Sequence, residues 1–63
     1  MKTSELKRLL KNSGCYETRT NLGGHDEWYS PITDLRFRVP RHQSKEVATG
    51  TVHSILKAAG INN

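Results

Sequence analysis

The chain has 63 residues and a single cysteine, and its formal net charge at neutral pH is +4. A domain of this size buries only about 60% of the surface that its unfolded chain exposes, which excludes a deep pocket, and one cysteine excludes an intrachain disulfide. No apolar run approaches the roughly 20 residues of a membrane-spanning helix, so we expect one cytoplasmic domain over residues 1–63. The positive net charge predicts that its surface binds a polyanion and not a membrane.

The first segment has the pattern of an amphipathic helix. Three leucines recur at helical spacing and predict its buried stripe: Leu6, Leu9 and Leu10. Three basic residues are expected on the other side of this helix: Lys7, Arg8 and Lys11. Thr3 is placed to cap the start of the helix, and Gly14 is placed to end it.

Three short strands separated by turn sequences follow. Alternating residue types predict a strand over 15–20, beginning with Cys15, which we expect to be a buried structural thiol. Residues 21–24 are typical of a turn, a second strand covers about 25–30, and residues 31–34 supply the next reversal.

The third strand, over 35–39, has the clearest alternation in the chain. Leu35, Phe37 and Val39 fall on one face, and Arg36 and Arg38 fall on the other. The sheet is therefore predicted to have one apolar side and one basic side. Proline cannot donate to a strand ladder, so the proline at position 40 is expected to end this strand.

A polar connection over 41–48 leads into a second amphipathic helix. Its apolar residues recur at helical spacing: Val52, Ile55, Leu56 and Ala59. Gly60 is expected to end the helix, with Ile61 folding back on its last turn. Either Thr49 or Thr51 is expected to be the N-cap.

The predicted order is helix, three antiparallel strands, helix. The apolar stripes of the two helices need a surface to cover, and the apolar face of the sheet is the one available. We therefore predict an α+β fold of α-β-β-β-α order, with both helices on one face of a three-stranded antiparallel sheet. The opposite face is left to solvent or to a ligand.

Three histidines are candidates for chemistry, because imidazole exchanges protons near neutral pH. His53 lies off the apolar stripe of the second helix and is expected to be an exposed helix residue without a role. His42 follows the basic strand and either contacts phosphate or lies in a solvated loop. His25 follows two glycines, which let a ligand come close, and is the candidate catalytic residue.

Cleavage of RNA without a metal needs a base for the ribose 2′-OH, an acid for the leaving oxygen and cations for the phosphorane. One histidine with several basic side chains supplies most of this set. The candidate RNA-binding residues are Arg36, Arg38, Arg41, His42 and Lys45. A merely solvated charged face is the alternative for these cations. His42 and Tyr29 are the candidates for a second proton-transfer group.

Other ligand chemistry has weaker support. The cysteine and the three histidines show none of the short pair spacings of a zinc site, so we expect no metal and no cofactor. Trp28 and Tyr29 could stack on bases, but neighbouring strand residues face opposite ways, so one of the two is expected to lie in the core.

Several short motifs, taken together and in this order, resemble one family. They are Thr3-Ser4-Glu5-Leu6 with Leu9-Leu10 and Gly14, Gly23-Gly24-His25-Asp26 with Trp28-Tyr29, Val39-Pro40-Arg41-His42, and Gly50-Thr51-Val52 with Ile55-Leu56-Lys57 and Ala59-Gly60-Ile61. Over essentially its whole length the chain resembles the HicA-type mRNA interferase toxins of bacterial toxin–antitoxin modules. Many members have serine before the histidine, where this chain has Gly24.

The resemblance implies a fold like that of double-stranded RNA-binding domains and a single catalytic histidine, His25. It also implies that messenger RNA is the substrate and that the partner is a HicB-type antitoxin. This antitoxin is expected to cover the active site, and this chain is expected to meet DNA only indirectly, through the antitoxin. From the residues alone, two alternatives stay open: a non-catalytic module that binds structured RNA, and a structural subunit whose basic surface binds an acidic protein.

Overall fold

The computed structural model describes residues 1–22, 25–41 and 45–61, with side chains for all of these except 19–22. The elements in chain order are α1 (Thr3–Asn12), β1 (Tyr16–Leu22), β2 (His25–Ser30), β3 (Leu35–Pro40) and α2 (Thr49–Ala59). The strands form one antiparallel sheet in the order β1-β2-β3, with β2 in the middle. The predicted α-β-β-β-α fold is therefore confirmed.

Both helices pack on one face of this sheet. Helix α2 lies against β3 and β2, and α1 lies against β3 and α2. The core between helices and sheet consists of Leu6, Leu10, Cys15, Trp28, Val39, Val47, Val52, Ile55, Leu56 and Ala59. All four residues of the stripe predicted for α2 are in this core, and Cys15 is a buried free thiol as predicted.

The C-terminus of α2 ends as its sequence predicts. Gly60 has a φ of 78°, and its N–H donates to the carbonyl of Lys57 at 3.1 Å. The N–H of Ile61 donates to the carbonyl of Leu56 at 3.0 Å, which completes a Schellman motif. A Cβ atom at position 60 would lie 2.8 Å from the Cγ2 atoms of Ile32 and Thr33, so glycine is required there for space as well as for φ.

The turn between β2 and β3 is tied to the same end of α2. The hydroxyl of Ser30 donates to the carbonyl of Ala59 at 2.6 Å, and that of Thr33 donates to the carbonyl of Ala58 at 2.5 Å. The last carbonyls of a helix have no partner within the helix, so these hydroxyls satisfy groups that would otherwise be unpaired. The helix end therefore fixes where β3 begins.

The predicted helix caps are wrong at both N-termini. Lys2 and Ala48 are the N-cap residues, and neither makes a side-chain capping bond. Thr3 is instead the buried first residue of α1, and its hydroxyl donates to the carbonyl of Lys45 at 3.1 Å. The reason is a non-local pairing, because residues 45–47 run along the N-terminus and Val47 donates its N–H to the carbonyl of Met1 at 2.8 Å.

Strand β1 also differs from its prediction. It runs over 16–22 and not 15–20, because Asn21 and Leu22 pair with Asp26 and His25 on β2. The register shifts between Glu17 and Asn21, which marks a bulge or irregularity. The predicted turn at 21–24 is therefore wrong for its first two positions, and positions 23 and 24 lie outside the described residues.

Candidate nucleic-acid interface

His25 is the first residue of the central strand β2, and its side chain is exposed. It lies opposite Leu22 on β1 and Pro40 on β3. Successive strand residues point to opposite faces, and the burial of β2 follows this alternation. Asp26, Trp28 and Ser30 are buried under the helices, so His25 and its same-parity neighbours lie on the uncovered face, called here the open face.

Two of the predicted RNA-binding residues share the open face with His25. In the β2–β3 register, Arg36 lies opposite Tyr29 and Arg38 lies opposite Glu27. Residues directly opposite each other on neighbouring strands point to the same side of a sheet. Both arginines are exposed, so the open face carries an imidazole and two guanidinium groups that a bound polyanion can reach.

Two further predicted RNA-binding residues, Arg41 and Lys45, do not share that face. Arg41 turns to the covered side, where its Nε lies 3.3 Å from Oδ1 of Asp26. Lys45 is exposed beside the start of α1, since its carbonyl accepts the N–H of Thr3 at 2.9 Å. His42 lies outside the described residues. The predicted cations therefore occupy at least three separate places.

Asp26 joins two elements by a buried ion pair. Its Oδ2 lies 3.3 Å from Nζ of Lys7, and the two side chains are 8% and 10% exposed. Lys7 was expected on the exposed side of α1, and that prediction is wrong because the carboxylate beneath the helix pairs with its ammonium group. Asp26 and His25 are neighbours in the chain but lie on opposite faces of the sheet, so they do not meet at one reacting group.

The two aromatic residues of β2 divide between the faces as predicted. Trp28 is wholly buried, whereas Tyr29 is half-buried on the open face. The Tyr29 hydroxyl donates to Oδ1 of Asp34 at 2.5 Å, and this hydrogen bond raises the pKa of Tyr29 above its usual value. Because this hydrogen bond directs the phenol proton at Asp34 and not at a ligand on the open face, it argues against Tyr29 as the second proton-transfer group.

Sequence reasoning missed two residues on the open face. Tyr16 lies opposite Tyr29 with ring centroids 5.4 Å apart, and this contact depends on a pairing register that the sequence does not reveal. Glu27 accepts a hydrogen bond from the Thr18 hydroxyl at 2.7 Å. Its place on the open face could have been predicted, because it lies two residues after His25 in the same predicted strand. The open face is thus mixed in charge and not uniformly basic as predicted.

Other kinds of site have little support. Across residues 1–22, 25–41 and 45–61, no three His, Cys, Asp or Glu side chains come together in a way that could hold a metal ion. No helix in that part of the chain is long and apolar enough to cross a membrane. His53 is exposed as predicted and lines an open cleft of about 500 Å³ beside α2, with no sheet residue in its lining.

The comparison with known protein families gives one match. A family model described as the HicA toxin of bacterial toxin–antitoxin matches residues 3–61, which is nearly the whole chain. No significant match was found among curated proteins or among solved structures. The match spans every helix and strand of the fold, so it applies to the domain that carries His25 and the open face.

Proposed function

Because this chain belongs to the HicA toxin family, we propose that it is a metal-independent endoribonuclease, the mRNA interferase of a toxin–antitoxin module. The observation that supports this activity is the exposed His25 on the same open face as Arg36 and Arg38. An imidazole and fixed cations are the groups that metal-free cleavage of a ribose phosphate requires.

In the proposed reaction His25 takes the proton from a ribose 2′-OH. The 2′ oxygen attacks the adjacent phosphorus, the bond from phosphorus to the 5′ oxygen breaks, and water protonates the leaving oxygen at this exposed site. Arg38, which lies opposite Glu27 and is the nearer arginine to His25 along the sheet, stabilises the charge on the phosphorane, and Arg36 binds a neighbouring phosphate. The products are a 2′,3′-cyclic phosphate and a 5′-hydroxyl end.

Arg41 and Lys45 belong to the proposed path of the RNA beyond the open face, where they bind phosphates, and the Arg41 side chain remains 46% exposed despite its contact with Asp26. In this proposal His42 also binds a phosphate. The partner is a HicB-type antitoxin that covers His25, and contact with DNA comes only through that antitoxin. The whole chain, residues 1–63, acts as one domain and needs no cofactor.

The chemistry of the cleaved ends tests this proposal. The purified chain, incubated with a long messenger RNA in excess chelator, is expected to leave cyclic phosphates and 5′-hydroxyl ends. Recovery of 5′-phosphate ends, or a strict requirement for a divalent metal, would contradict the mechanism. Salt-sensitive binding without any cleavage would instead favour a non-catalytic RNA-binding module.

The salt dependence of RNA binding tests where the phosphates lie. Each phosphate contact to a single strand contributes about 0.7 to the slope of log affinity against log salt concentration. Replacing Arg36 and Arg38 together with glutamine is therefore expected to reduce that slope by about 1.4, measured by titration at several salt concentrations with RNA that cannot be cleaved.

A matched pair on α1 provides the control. Arg8 and Lys11 are exposed on the helix side of the molecule, and replacing both with glutamine removes the same charge as the Arg36 and Arg38 pair. We expect this control to leave the slope close to that of the parent. If replacing the α1 pair reduced the slope more than replacing Arg36 and Arg38, the RNA interface would lie on the helix side and not on the open face.

A further inference from the structure

The open face carries a pair of aromatic rings that the proposed cleavage step does not use. Tyr16 and Tyr29 lie directly opposite each other on β1 and β2, with ring centroids 5.4 Å apart and planes inclined by 53°. Tyr16 is 54% exposed, so much of its ring is open to solvent. The pair therefore presents an aromatic surface to solvent.

The Tyr29 ring is held in place by contacts with the rest of the fold. Its hydroxyl is bound to Asp34 in the turn between β2 and β3, and that turn is tied to the end of α2 through Thr33. Tyr29 also lies opposite Arg36 across the other strand pair. A flat ligand that stacks on Tyr16 therefore lies beside a second ring that is held in place, with Arg36 on the next strand.

We propose that Tyr16 and Tyr29 form a stacking platform for an unpaired base, and that the substrate class of the open face is single-stranded RNA. Aromatic side chains on an open sheet stack on bases that are splayed out of a helix, and neighbouring basic residues hold the backbone. Bases in a duplex are already stacked and paired, so a duplex cannot use this platform. The inference rests on the proposed ribonuclease function, because it identifies the RNA that the same face takes.

The position of the platform fits cleavage near the stacked base. Residues 25, 27 and 29 share one face of β2, and four residues of strand span about 13 Å. A short segment of RNA can therefore reach both His25 and the platform. RNA matches both components of this face, because its bases can stack on the tyrosine rings while its phosphates contact Arg36 and Arg38.

Binding of an unpaired strand tests the platform directly. The probe is a labelled single strand of about ten nucleotides carrying 2′-O-methyl groups, which the proposed mechanism cannot cleave. Tyr16→Ala is expected to weaken its binding about tenfold, within the range found when one stacked base is lost. Tyr16→Phe keeps the ring and is expected to bind like the parent. The parent should bind the same strand less tightly after it is annealed to its complement.

Leu35→Ala is the matched control, because Leu35 is 50% exposed but lies opposite the buried Ser30, on the covered side of the sheet. It is expected to leave binding unchanged, and circular dichroism checks that all variants are folded. Equal affinity of Tyr16→Ala and the parent, equal affinity for single strand and duplex, or no binding by the parent would each overturn the platform. So would a Tyr16→Ala variant that binds RNA normally but no longer retains its antitoxin.

The two proposals fail in different ways. If Tyr16→Ala weakens binding but the parent does not cleave messenger RNA, the platform stands and the ribonuclease proposal fails. If the parent cleaves with cyclic phosphate ends and Tyr16→Ala binds and cleaves equally well, the platform fails and the ribonuclease proposal stands.

Discussion

Replacing His25 with alanine is expected to lower the rate of metal-independent RNA cleavage by about 10²- to 10⁴-fold, the usual contribution of a positioned proton-transfer group. The side chain is exposed at the start of β2, so its removal leaves the core untouched and the free energy of unfolding close to that of the parent. Binding of uncleavable RNA should also persist, because Arg36 and Arg38 remain. The measurement is the single-turnover cleavage rate in excess chelator.

His53→Ala is the control for this experiment. His53 is equally exposed but lies on α2, away from the open face, so its replacement should leave cleavage unchanged. A contaminating ribonuclease would cleave in the presence of either variant. Cleavage by the His25 variant at the parent's rate would therefore contradict the assignment of His25, whereas a loss confined to that variant would support it. Growth arrest on expression should follow the same pattern.

Local sequence patterns predicted the parts of this fold that depend on local geometry. The apolar stripe of α2 and its end at Gly60 follow from helical periodicity and from the conformational freedom of glycine. The side-chain alternation of β3 placed Arg36 and Arg38 together, and the structure agrees. These features need only a few neighbouring residues, so one sequence is enough to find them.

Two of the missed features depend on contacts between segments that are separated in the chain. The Thr3 hydroxyl donates to the carbonyl of Lys45 and does not cap α1, because residues 45–47 run beside the N-terminus. Tyr16 meets Tyr29 through a register that includes an irregularity in β1. Periodicity assigns a residue to a face but does not say which strand residue will lie opposite it.

Asp26 shows why the candidate site needed the structure. His25 and Asp26 are adjacent in the predicted second strand, so strand alternation already predicts that they face opposite sides. The sequence does not reveal that Asp26 pairs with Lys7 of α1 on the covered side, whereas His25 is exposed on the open face. A loss of cleavage in an Asp26 variant would therefore report on folding unless stability is measured as well.

Asp26→Ala is expected to destabilise the domain by about 3–5 kcal/mol, because it leaves the buried ammonium group of Lys7 without a counter-ion. That is a large fraction of the stability of a small domain. Urea unfolding followed by circular dichroism measures the change. Much of the stability should return when Lys7→Met is combined with Asp26→Leu, because two packed apolar side chains need no counter-ion.

The same series separates packing from chemistry at this position. Arg41 also contacts Asp26, but its side chain is 46% exposed and can turn to solvent when the carboxylate is gone, so Arg41→Gln alone should cost far less than Asp26→Ala. A double variant that regains stability is expected to regain RNA cleavage, since His25, Arg36 and Arg38 all lie on the other face. If it were stable yet inactive, Asp26 would have a role in the reaction that the ion pair with Lys7 does not explain.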